Sequence, residues 1–94
     1  MANRCNQVMY DFTKILFRKM EAARLVVLFD TFSFLSERER ALLKLIYCGG
    51  LPMKCVAFKL KISKRWADKT HHEVIGKVAP CVFSFILSGL SRAL

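Results

Sequence analysis

The chain has 94 residues, 54% of them apolar, and a formal net charge of +9 from 16 basic and 7 acidic residues. That length allows one small domain with a modest core, and the basic excess favours an anionic partner: nucleic acid, an acidic protein or a membrane surface. So large an apolar share in so short a chain is more than one small core takes in, and part of it is expected against a partner.

The longest apolar runs, 25–28 and 81–87, are far short of a membrane span, so no membrane partner is expected. The first six residues are polar and no secretory signal follows them. Cysteines stand at 5, 48, 55 and 81 without a Cys-x-x-Cys pair. The expectation is a cytoplasmic protein with reduced, mostly buried thiols.

In chain order the elements read as all-α. About four core helices form a small helix-turn-helix domain, with a long N-terminal helix before it. The boundaries are 1–34 for the N-terminal helical segment, 35–78 for the helix-turn-helix and 79–94 for a C-terminal apolar helix. From residue 7 to 30, Val8, Phe12, Ile15, Leu16, Ala22, Ala23, Val26 and Val27 recur at steps of three and four. Neither proline nor glycine interrupts them, so one long helix is expected, with a break near Glu21 as the alternative. Residues 25–34 are apolar nearly all round, as in a helix buried on more than one side.

Ser36 and Glu39 form a capping box. Leu42, Leu43, Leu45 and Ile46 mark the inner face of a helix to about Cys48, which Gly49-Gly50 ends. Pro52 suits the opening of the next helix, on which Val56, Ala57 and Leu60 face inward. Lys61 and Ile62 make a turn, and Ser63 is a good N-cap for a third helix. On that helix Ala67, Thr70 or His71, Val74 and Val78 share one side. Lys64, Arg65, Asp68, Lys69 and His72 share the other, as a basic stripe on a helix that fits a DNA major groove. Residues 53–77 hold seven basic residues against Asp68 and Glu73, the footprint of a DNA-contacting segment. Pro80 ends the third helix or opens a last, very apolar one, which suggests pairing between subunits.

Several of these positions form an ordered series. Leu35-Ser36-x-Arg38-Glu39-Arg40, Leu43-x-Leu45-Ile46, Gly49, Lys54-x-Val56-Ala57-x-x-Leu60-x-Ile62-Ser63 and Val74-x-x-Lys77-Val78 resemble the DNA-binding domain of LuxR/NarL-type bacterial transcription regulators. The series covers about 44 of the 94 residues. The resemblance implies a four-helix domain that binds DNA as a dimer, with its third helix in the major groove and its fourth as a common dimer contact. The chain departs from the family at Trp66-Ala67, where Thr-Val is common, at Thr70, where His is common, and by one extra residue near Gly50. No receiver or ligand-sensing domain is expected beside the series.

The expected base contacts are Lys64, Arg65, Asp68, Lys69 and His72, with Arg65 and Lys69 the best guanine readers. The expected phosphate contacts are Lys54, Lys59, Lys61 and Lys77, joined by Trp66 through its indole donor. Val82, Phe83, Phe85, Ile86 and Leu90 are the expected dimer contacts. Catalysis finds little support, since His71 and His72 have no nucleophile near them in sequence. A zinc site from Cys48, Cys55 and a histidine lacks the close pairing of metal cysteines. Neither metal nor other cofactor is expected. The sequence reads as a sequence-specific DNA-binding transcription regulator, with double-stranded DNA and a second copy of itself as the expected partners. The alternative is a co-regulator or anti-activator that binds a larger transcription regulator through its apolar terminal helices.

Overall fold

A computed structural model describes the backbone of residues 4–93 and the side chains of residues 7–89. All regular structure among them is helical: α1 (Arg4–Lys19), α2 (Ala22–Thr31), α3 (Glu37–Leu43), α4 (Met53–Leu60) and α5 (Lys64–Ala93). The wide π turn Lys44–Cys48 extends α3. None of these helices is long and apolar enough to cross a membrane.

The long helix is at the C-terminus of the chain, not at its N-terminus. Residues 7–30 were expected to run as one helix, with a break near Glu21 as the alternative. The alternative forms: the chain breaks between Lys19 and Ala22, where Glu21 is extended (φ −68°, ψ 144°). The core explains the break. Phe17 and Phe29 are fully buried, and their rings meet edge to face with centroids 5.1 Å apart. Twelve residues apart on a straight helix they would be separated by about 18 Å along the axis. Folding α2 back brings both rings against Tyr47, whose ring centroid lies 5.3 Å from that of Phe17.

The Ser36 hydroxyl accepts from the Glu39 amide at 3.1 Å, and the Glu39 carboxylate accepts from the Ser36 amide at 2.8 Å. Its other oxygen accepts from the Lys77 ammonium at 2.8 Å, which ties α3 to α5. Burial alone would push the Glu39 carboxyl up; the bonds from Lys77 and Ser36 outweigh it and hold the carboxyl below its usual range. The two glycines after the π turn have separate roles. A Cβ on Gly49 would sit 2.9 Å from the Leu45 carbonyl oxygen, while Gly50 supplies a left-handed turn at φ +67°.

Two apolar clusters form, and α5 serves both. Phe17, Leu25, Phe29, Leu35 and Leu43 pack on Val74, Ile75, Val78 and Val82 in the larger. Leu42, Val56 and Ala57 pack on Ala67 in the smaller. The separate C-terminal helix expected from residue 79 does not form: α5 continues through Pro80 to Ala93. Pro80 lacks the N–H that would bond the Gly76 carbonyl, a local cost. It is offset by Val78, Ala79 and Val82, buried on either side of it.

His71 of α5 meets the Tyr47 hydroxyl at 2.8 Å through Nε2. Burial, and then the charges of Lys14 and Arg18, push the imidazole down to about 4, while burial pushes the Tyr47 phenol up to about 12. At neutral pH a protonated phenol therefore donates to a neutral ring. The unfolded chain takes up a proton at His71 below about pH 6.5, and the folded chain does so only near 4. The contribution is fully present above pH 6.5 and is lost as the pH falls through 4, on the order of 2 kcal/mol after allowing for partial exposure. Urea unfolding of wild type and His71→Gln across that window checks this. The variant, which keeps an acceptor for Tyr47 but does not titrate, should show a shallower loss of stability between pH 6.5 and 4. Parallel curves would contradict the assignment.

Candidate nucleic-acid interface

α4 and α5 are joined by three residues. Lys61 adopts the left-handed conformation (φ 58°), and the Ile62 amide bonds back to the Ala57 carbonyl at 3.0 Å. The Ser63 hydroxyl then accepts from the Trp66 amide at 3.0 Å and caps α5. Ala57 and Ala67 are both buried; their small side chains let the two helices approach closely. Once Ala67 faces the core, helical geometry turns Lys64, Arg65, Trp66, Asp68 and Lys69 outward, and all five are exposed. Lys54, Lys59 and Lys61 are exposed on α4 and the turn. From residue 41 to 67 the sequence holds no acidic residue.

The expected stripe is brought together only in part. Lys64 and Asp68 pair at 3.0 Å across one helical turn, an exposed contact of small net worth. The Lys69 ammonium lies 5.1 Å from the centre of the Trp66 ring, a cation–π contact that holds both side chains on the outer face. Arg65 and Lys69, four residues apart, point the same way with about 6 Å between them along the axis.

His72 is drawn away from this group. Its Nδ1 lies 3.0 Å from the Tyr10 hydroxyl, and its ring sits 4.7 Å from the Tyr10 ring on α1. Lys77 sits on Glu39 instead of standing free on the surface. Neither contact was legible, because α1 and α3 are 62 and 38 residues away in the chain from their partners on α5.

The expected dimer residues also divide. Val82 is buried in the protein's own core, and Ile86 packs on that core. Phe83 meets Phe12 edge to face, with centroids 5.2 Å apart. Phe85 stands 79% exposed. Leu90 lies outside the described side chains. Leu87, not singled out from the sequence, is 61% exposed. Beside Phe85, α1, α2 and α5 enclose an apolar groove of about 400 Å³ lined by Leu16, Met20, Leu28 and Phe34 among others.

Sequence reasoning missed Phe58, which is 86% exposed on the last turns of α4. The signal was available: Phe58 falls opposite Val56, Ala57 and Leu60 on a helical projection. The thiols differ from expectation as well. Cys55 and Cys81 are exposed and Cys48 is half-buried, all three free. Among the described residues no three of His, Cys, Asp and Glu come together as a metal site would need. No protein-family model, no curated protein and no solved structure matches the chain.

Proposed function

We propose that this chain is a sequence-specific transcription regulator that binds double-stranded DNA through α4, the turn and the first turns of α5, as a homodimer in the bacterial cytoplasm. The observation that carries the reading is the exposed basic face of Lys64, Arg65 and Lys69 at the start of a helix entered by a three-residue turn. The likeness of residues 35–78 to LuxR/NarL-type domains adds to it.

In this reading Arg65 and Lys69 hydrogen-bond guanine edges in the major groove. Asp68, held by Lys64, accepts from a cytosine amine or orients its basic neighbours. His72 leaves the reading set, because Tyr10 engages it. Lys54, Lys59 and Lys61 meet phosphates, and Trp66 adds its indole donor. Lys77 acts mainly through Glu39, fixing the angle between α3 and α5. Affinity then falls steeply with salt, as bound cations are released from the duplex.

Two outcomes follow. On a preferred duplex selected from a random pool, Arg65→Ala or Lys69→Ala should weaken binding roughly five- to hundredfold, with the circular-dichroism melting curve unchanged. Binding unchanged in both variants would remove α5 as the reader. Pairing is checked by sedimentation: Phe85→Glu should shift a concentration-dependent dimer toward monomer, because it puts a charge beside the apolar groove. A dimer untouched by that change would place the contact elsewhere.

The same groove favours a second reading, a co-regulator or anti-activator that docks on a larger transcription regulator through its apolar terminal helices. Purified protein that gives no salt-dependent gel shift, yet retains a larger regulator in a pull-down, would favour it.

A further inference from the structure

The basic end of the molecule carries two exposed aromatic side chains that duplex recognition does not use for base reading. Phe58 is 86% exposed and Trp66 is 50% exposed. They flank the same three-residue turn, one near the end of α4 and the other in the first turn of α5. Neither ring appears in the apolar clusters of the core. Exposure of two large rings is unfavourable in water unless something else covers them.

Their surroundings indicate the chemistry of what covers them. Lys59, Lys61 and Arg65 are exposed neighbours in sequence, and Lys54 lies one turn before Phe58. The nearest carboxylate along the chain, Asp68, is already paired with Lys64 at 3.0 Å. Lys69 lies over the Trp66 ring at 5.1 Å, and half of the Trp66 surface remains open to solvent. Rings interleaved with uncompensated cations suit a ligand that is both flat and anionic at short intervals. A single strand of nucleic acid has that pattern: its bases stack on rings while its phosphates meet lysines. A closed duplex does not, since its base faces are already stacked on one another.

We propose that Phe58 and Trp66 form a stacking platform for unpaired bases, and that Lys54, Lys59 and Lys61 track the phosphates of that single strand. The ligand class is single-stranded nucleic acid, DNA or RNA. This site shares Lys54, Lys59, Lys61 and Trp66 with the duplex reading and differs from it in depending on Phe58 and on stacking against the rings rather than on hydrogen bonds to base edges.

The chain has a single tryptophan, so its intrinsic fluorescence reports on the platform directly. The test titrates the 94-residue chain with oligo-dT and oligo-rU of about 12 nucleotides, with a dA·dT duplex of the same length and with polyglutamate. Both single strands are expected to quench Trp66 strongly and reversibly with salt, and the duplex and polyglutamate only weakly. Quenching by oligo-dT alone or oligo-rU alone supports the site and assigns it to DNA or to RNA. Phe58→Ala should weaken single-strand binding roughly five- to hundredfold. Phe58 is almost wholly exposed, so the fold should survive; a melting curve checks it. Trp66→Ala, followed by anisotropy of a labelled strand, gives a second readout that does not depend on the tryptophan signal.

Equal quenching by duplex and single strand, with Phe58→Ala neutral, would overturn stacking and leave a general polyanion surface. Quenching by polyglutamate as strong as by the strands would overturn it in favour of an acidic protein partner. Because Arg65→Ala and Lys69→Ala test the duplex site and Phe58→Ala tests the platform, the two proposals fail separately.

Discussion

One 30-residue helix, α5, is the constraint on which the rest of the structure depends. Its inner face supplies Val74, Ile75, Val78 and Val82 to the larger cluster and Ala67 to the smaller. Because both clusters share this support, α4 cannot shift on α5 without disturbing Ala57 against Ala67. Nor can α1 and α2 move without disturbing Phe17 and Phe29. The same rod carries the exposed basic residues at its start and exposed Phe85 and Leu87 toward its end. Core packing therefore fixes the direction in which each of these outer groups points.

Polar contacts to α5 sort its charged and titratable groups. Glu39 completes the α3 cap with one oxygen and holds Lys77 with the other. Tyr10 holds His72 and Tyr47 holds His71, so α1 and the π turn engage both histidines. What stays on the outer face is concentrated in the first two turns, Lys64 to Lys69, next to the lysines of α4. The basic surface that results is shorter than the stripe drawn from the sequence and richer in aromatic rings.

Local signals carried much of this. The capping box at Ser36, the cap at Ser63 and the stop at Gly49-Gly50 are set by residues within a few positions of one another, and each forms as its chemistry implies. The turn at Lys61 also forms, with a lysine in the left-handed conformation that glycine usually takes. The outward placement of Arg65 and Lys69 follows from the 3.6-residue period once Ala67 faces in. The break before Ala22 was less visible because tertiary packing of Phe17 on Phe29, not a glycine or proline, brings it about. Pro80 misled in the opposite direction: it usually interrupts a helix, and here buried neighbours on both sides carry the helix through it. The engagement of His72, Lys77 and Val82 depends on partners distant in sequence, so periodicity alone assigned all three to outside contacts.

The most direct measurement is residue-by-residue mapping of the amide NMR spectrum on addition of a DNA duplex carrying a selected site. Perturbation concentrated on Lys54, Lys59 and Lys61 and on Lys64 to Lys69, with Leu25 to Phe29 of α2 unmoved, is the result expected if α4 and the start of α5 form the nucleic-acid surface. Perturbation centred on α2, or a spectrum that does not change at saturating duplex, would contradict it.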